Sequence, residues 1–221
     1  MAEGLIDALL GSSTSSSQSH FAIAPGIITE NLDTLGEGRV KVRVTAMPGF
    51  EPWARVCSVG AGDGRGFCWI PQVDDEVLVA FAQNDASSAY VLGGLWSTTE
   101  RPPIVDPLEF LTKRVIATGV AGGLGHTLEF DDLLQSVTIT TSTQQKITID
   151  PLKIQLSASV GTLTITLDAS SQTISIQSPA SIALKAPQIS LEGVSVDIKG
   201  TTVGITAAGP ITMQGLPIKL N

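Results

Sequence analysis

Charge is scarce in this 221-residue chain. Only 15% of residues are charged, with 13 Lys or Arg against 21 Asp or Glu and a net charge of −8, where an ordinary soluble domain carries about 25%. The shortage of Glu, Lys and Arg removes the residues that solvate helix surfaces. The acidic balance argues against a nucleic-acid partner, because such affinity comes mainly from neutralising phosphates with Lys and Arg. Cys57 and Cys68 are too few for a disulfide framework or a zinc site. No apolar run approaches the ~20 residues of a membrane span. The first ten residues lack a basic region and offer only Leu5–Leu10 as an apolar stretch, so no secretory signal is read there and assembly in the cytoplasm is expected. What remains is 43% hydrophobic but 5% aromatic. That aliphatic mass is too large for a disordered chain.

Position matters more than composition. All ten aromatics fall between Phe21 and Phe130, whereas Ser136 to Asn221 holds 24 Ser or Thr among 86 residues and only nine charges. Two kinds of structure therefore share one chain. Residues 1–20 read as a flexible N-terminal segment, with a Ser-rich stretch at 12–19. The LIDALL stretch ahead of it, with Leu5, Ile6, Leu9 and Leu10, reads as a frayed terminus or a docking peptide. Residues 21–97 read as short strands at Arg39–Val44, Trp53–Val59, Gly66–Ile70, Glu76–Phe81 and Ala89–Gly93. Each is bounded by turn residues such as Pro48-Gly49, Asp74-Asp75 and Asn84-Asp85. Five strands in about 75 residues suggest a small closed barrel of the OB type. Pro102, Pro103 and Pro107 make residues 98–123 a linker, with room for a short strand at Arg114–Ala117.

From residue 124 to 221 one pattern recurs. Pairs of aliphatic residues flank a small or polar one and a turn follows, from Val137/Ile139 and Ile147/Ile149 through to Ile211/Met213 and Ile218/Leu220. Period-two alternation makes one face of every strand aliphatic and the other Ser, Thr, Gln or Lys. Both the period and the β-branched content exclude a helix. No Asn-Gly or Asp-Gly signal separates these units, so local hairpins are not expected. Two coiled arrangements stay open: a single-chain β-helix, or three chains wound into an intertwined triple-stranded β-helix, a trimeric prism. The lack of interior Asn ladders and of aromatics after Phe130 favours three chains. Eleven layers at ~4.8 Å each would make a stiff rod roughly 50 Å long.

Trp53-Ala-Arg-Val56, Ala61-Gly-Asp-Gly-Arg-Gly-Phe67, the run from Ile70 to Phe81 and Tyr90-Val-Leu-Gly-Gly-Leu-Trp96 resemble the OB domain of contractile-tail spike proteins. That family includes the phage baseplate assembly protein V group and the VgrG proteins of type VI secretion. Its motif falls here on Trp53, Arg55, Gly64, Gly66, Pro71, Gly93 and Trp96. Gly125–Asp132 looks like the start of the family's intertwined β-helix, and Gly215–Asn221 like its blunt end. The resemblance implies a homotrimeric structural spike without catalysis or cofactor. Such a spike sits on a hub among other baseplate components, plugs the tail tube and crosses a target envelope only transiently, when the sheath contracts. VgrG-type chains carry a large hub region ahead of the OB domain. Only the short segment Met1 to His20 stands there in this sequence, so a separate hub protein is expected. Residues 98–123 cannot hold a lysozyme domain. His20 and His126 lie far from the C-terminus, so no tip metal is expected. A PAAR-type tip protein would then cap Ile211, Met213, Leu216, Ile218 and Leu220.

Other candidates carry bland readings. Gly60–Gly66 lacks the helix that a phosphate-binding loop opens and reads as a hairpin loop. Cys57 and Cys68 flank that loop and read as cytoplasmic thiols rather than a disulfide. His126 has no neighbouring ligand. Glu129, Asp131 and Asp132 could be proposed as a glycosidase pair but read as solvated turn residues. The competing function is a single-chain β-helix enzyme that degrades polysaccharide. Such an enzyme would want sugar-stacking aromatics, which the C-terminal half lacks. An OB-fold nucleic-acid binder is disfavoured by the net charge.

Overall fold

The computed structural model describes residues 23–82, 85, 87–119, 124–158 and 161–218. The described residues are all-β apart from one four-residue helix, and the chain divides into a unit ending at Pro179 and a second from Ala180 onward. No helix among the described residues is long and apolar enough to cross a membrane.

Five strands close the barrel: β1 (Ile23–Glu30), β2 (Arg39–Val44), β3 (Trp53–Val56), β4 (Glu76–Phe81) and β5 (Ala89–Gly94). They run in the order β1-β2-β3-β5-β4, with β1 paired to both β2 and β4 and with β3 parallel to β5, the arrangement of an OB fold. Alternate residues point inward, so Ile28, Val40, Val42, Val77, Val79 and Val91 are fully enclosed. Aliphatic β-branched side chains suit this tight interior because they pack on a pleated surface with little rotamer freedom left to lose.

The expected set of barrel strands needs two corrections. Gly66–Ile70 is not a strand. Its backbone joins Val59 through the Phe67 amide, and Phe67 and Trp69 stack outside the barrel with ring centroids 5.4 Å apart. The fifth strand is instead β1, which the Pro25-Gly26 pair disguises as a turn. Pro25 is tolerated because the β2 ladder begins only at Gly26, and the Pro25 carbonyl still accepts from Thr45 at 3.1 Å. Gly26 is required by packing: a Cβ there would lie 2.5 Å from Val42 Cγ1.

Beyond the barrel, helix α1 (Glu109–Thr112) leads directly into β6 (Lys113–Ala117). Strands β7 (Thr127–Asp131), β8 (Ser136–Thr140), β9 (Lys146–Ile149), β10 (Lys153–Ala158), β11 (Leu163–Asp168) and β12 (Thr173–Gln177) complete a seven-stranded sheet in strict sequence order. Every neighbouring pair is antiparallel. The expectation that local hairpins would be absent is therefore wrong for this stretch. Its turns use a chemistry other than Asn-Gly. Asp131 Oδ1 accepts from the amides of Leu133 and Leu134, Asp150 Oδ1 from Leu152 and Lys153, and Asp168 Oδ1 from Ser170 and Ser171. Gln135, Gln144 and Gln172 take the left-handed backbone conformation, with φ of 52°, 64° and 55°. The β7–β8 and β11–β12 turns combine a capping aspartate with a residue at positive φ to reverse the chain as Asn-Gly would, whereas Thr141 caps the turn that holds Gln144.

The recurring aliphatic pattern does not produce one uniform element. Residues 180–218 contain no strand and join no ladder within the chain, although Ile182/Leu184, Ile189/Leu191 and Val203/Ile205 repeat the same alternation.

Candidate functional site

The sheet register lines up two continuous apolar rows. One runs Ile116, Leu128, Ile139, Ile147, Leu156, Ile165, Ile176, crossing all seven strands. The other runs Phe130, Val137, Ile149, Ile154, Leu167, Ile174 across β7 to β12. The opposite face carries Glu129, Thr138, Thr148, Gln155, Thr166 and Ser175. No residue of either apolar row is buried, and most of their large side chains are exposed outright. Buried apolar residues among those described are confined to the barrel and Ile104. An apolar sheet face of this length with nothing over it marks an interaction surface.

The described part of the second unit makes the same demand more strongly. Ile182, Leu184, Ile189, Leu191, Val194, Val196, Ile198, Val203 and Ile205 are all exposed.

At the other end of β6 the polar face is pinned by charge. Lys113 Nζ lies 2.7 Å from Glu109, 3.9 Å from Glu129 and 4.0 Å from Asp131. The hydrogen bond to Glu109 holds the Lys113 ammonium above its ordinary pKa. Glu129 and Asp131 sit on β7, and Asp131 is only 5% exposed. The reading of these two acids as solvated turn residues is thus corrected, while Asp132 does lie in the turn. Lys113 belongs to a strut between helix and sheet rather than to a facing carboxylate pair in a cleft. His126 sits before β7, where its Nδ1 accepts from the Ser142 amide at 3.4 Å. Cys57 and Cys68 are exposed free thiols. Among the described residues no group of three or more His, Cys, Asp or Glu is placed to hold a metal.

The family-motif residues of the barrel are spread over its exterior. Arg55 lies over the Tyr90 ring at 4.8 Å and donates to the Tyr90 hydroxyl at 2.9 Å. Arg39 stands 5.7 Å from the Trp53 ring centroid and forks onto Asp33. That guanidinium, with the amides of Leu35, Glu37 and Arg39, holds the Asp33 carboxyl well below the usual carboxylate range and fixes the β1–β2 loop. Gly66 takes φ of 130° where a Cβ would press within 2.9 Å of the Ala61 backbone. Gly64 also has positive φ, Pro71 accepts from the Asn31 side chain, and Gly93 faces Leu78. Trp96 follows β5 and is exposed. These residues shape loops and brace neighbouring strands; they converge on no catalytic centre.

Of the tip candidates, Ile211, Met213, Leu216 and Ile218 are exposed. Leu220 and the hub-docking candidates Leu5, Ile6, Leu9 and Leu10 lie outside the described residues. What the residue pattern alone could not supply was the register. The Asp-initiated turns after β7, β9 and β11 were a partial signal, since each sets its flanking aliphatic residues directly opposite one another.

Residues 24–96 match the model of the type VI secretion system/phage-baseplate injector OB domain. Over 81 residues the chain is 36% identical to the actin cross-linking toxin VgrG1 of Vibrio cholerae serotype O1 (strain ATCC 39541 / Classical Ogawa 395 / O395). That match takes in 36% of this chain and 7% of the relative, so the chain spans a small part of that protein's length. The closed five-stranded barrel and the sequence match cover the same residues, so in fold and in sequence residues 24–96 are similar to an injector OB domain.

Proposed function

We propose that this protein is a structural spike of a phage baseplate or related contractile injection system, and that it works as a homotrimer. The observation that carries the reading is the pair of aliphatic rows on the sheet, left open by a single chain. Three copies packing these faces inward would bury them around a common axis and leave the Thr, Gln and Ser face in water. Fully burying such a side chain stabilises by about 1.5–3 kcal/mol, and each copy supplies more than a dozen. Past residue 180 the three chains would wind together, each supplying the ladder partners that one chain lacks.

A column built this way has no cleft, and its stiffness comes from hydrogen bonds and aliphatic packing. Those are the properties needed by a part that transmits thrust: it sits on a hub, closes the end of the tail tube and is pushed through an envelope. Ile211, Met213, Leu216, Ile218 and Leu220 are proposed to receive a PAAR-type tip protein, on the strength of the apolar surface exposed by those of them that are described. The N-terminal Leu5, Ile6, Leu9 and Leu10 are proposed to contact the hub.

Sedimentation equilibrium of the full chain tests the core of the reading. The expected particle has three times the 23.0 kDa mass of one chain. A monomer at micromolar concentration overturns it.

A further inference from the structure

Two exposed features lie outside the barrel interior, and the first touches an apolar row only at Ile116. The first is a groove of about 510 Å³ between the barrel and β6, bordered by Phe67, Trp69, Trp96 and Ile116. Trp96 keeps 71% of its surface open. The charged residues around this groove are Asp75, Glu76 and Glu100, all acidic. The second feature is the α1 turn, where Leu108 and Leu111 are 74% and 73% exposed and Phe110 is exposed as well. Arg114 follows it. Its guanidinium donates to the Phe110 and Lys113 carbonyls at 3.0 and 2.6 Å, and it makes no ion pair among the described residues.

One chain thus displays an apolar turn beside an unpaired cation, and an aromatic groove with an anionic rim. The turn does not line the groove of its own chain, so the two need separate copies to meet. Charge selects this occupant, since the groove wants an apolar segment followed by a base. Position selects it too. Arg114 and Ile116 are alternate residues of β6 on the apolar side of the sheet, the side that the trimeric reading covers with neighbouring copies.

We propose that the α1 turn of each copy seats Leu108, Phe110 and Leu111 in the Trp69–Trp96 groove of the next copy, with Arg114 against the acidic rim. Turn and groove are different patches, so the contact is heterologous, and around a threefold axis it closes into a ring. The inference rests on the trimeric reading but makes a separate claim, that the barrels are locked to one another and not merely carried by the stem.

Cys57 lines the groove and is an exposed thiol, which makes the contact testable by cross-linking. In the full chain, Leu111→Cys with Cys68→Ser is oxidised mildly, fully denatured and run without reductant. Covalent trimers with intermediate dimers are expected. Leu134→Cys with Cys68→Ser, placed on the turn after β7, should give no covalent trimer. Sedimentation before oxidation separates the failures. A particle of trimer mass whose chains stay unlinked, form only intrachain bridges, or link equally well through position 134 overturns the groove contact and leaves the trimer standing. A particle that sediments as a monomer overturns both.

Discussion

Leu156 of β10 and Ile165 of β11 stand directly opposite one another across their antiparallel ladder, yet they remain 41% and 40% exposed. Cross-strand aliphatic pairs of this kind ordinarily lie under a second layer, because their contribution to stability comes from leaving water. Here the pair is one step in a row seven strands wide that stays open among the described residues.

Replacing Ile165 by Asp should therefore abolish the trimer. It would place three unpaired carboxylates at the shared axis, at a desolvation cost of several kcal/mol per ion. Thr166→Asp, one residue away on the polar face, should leave the trimer intact. Sedimentation velocity on both variants checks this, and equal behaviour of the two would mean the apolar face is not the assembly face.

Alternation was legible from the residues: which positions along β8 to β12 are apolar, and that five short strands make a barrel. Topology was less so. Pro25-Gly26 hid a strand because its tolerance depends on where the β2 ladder begins, a long-range fact. Phe67-Cys68-Trp69 mimicked a strand because two aromatics spaced by two can stack on a surface as readily as face a core. The change near Ala180, from a paired sheet to a chain without ladders of its own, has no marker in the alternation. The same period serves both a paired sheet and a segment that joins no ladder. Pro179 and Pro187 interrupt pairing there, but prolines also sit elsewhere in the chain without that effect.

Acid should loosen the β11–β12 turn before the barrel. The Asp168 carboxylate accepts from the Ser170 hydroxyl at 2.6 Å and from the Ser170 and Ser171 amides at 2.9 and 3.0 Å. The Ser170 hydrogen bond, foremost among these, lowers its pKa from 3.8 to about 2. A carboxyl whose folded pKa is depressed contributes stability that is fully present above its unfolded pKa and is lost as pH falls through the folded one. The window is thus from about pH 4 down to about pH 2. Hydrogen-exchange protection of the β11 and β12 amides, relative to their intrinsic rates, should fall across it, and Asp168→Asn should remove that pH dependence. Unchanged protection at pH 2 would show that the turn does not depend on the charge.

The barrel should be sensitive to a single methyl group. Gly26→Ala sets a Cβ 2.5 Å from Val42 Cγ1, 3.1 Å from the Arg43 carbonyl oxygen and 3.3 Å from Val79 Cγ2, both valines being fully enclosed. Overpacking of this kind costs about 1–3 kcal/mol. The expected readout is a lower urea midpoint for the barrel, followed through tryptophan fluorescence, since all three tryptophans lie between Trp53 and Trp96. Gly49→Ala serves as the contrast. A Cβ there meets nothing within 4 Å, but φ is 82°, so its smaller loss would come from backbone strain alone.

The tip assignment makes a claim about order along the column. Ile211, Met213, Leu216 and Ile218 are exposed in one chain, as are the apolar residues from 182 to 205, so exposure alone does not single them out. If three wound chains cover the upper repeats, each of those residues gains two neighbours in its own layer. A layer that closes the column has a neighbouring layer on one side only, and its open strand ends are available to a capping protein. Deleting residues 211–221 should then abolish binding of a PAAR-type tip protein and leave the trimer in place, because the sheet rows and residues 182–205 remain to hold it. Pull-down with the tip protein and sedimentation on the same preparation read the two effects separately. Capping that survives the deletion would move the tip site elsewhere on the spike, whereas loss of the trimer would mean these residues hold the three chains together.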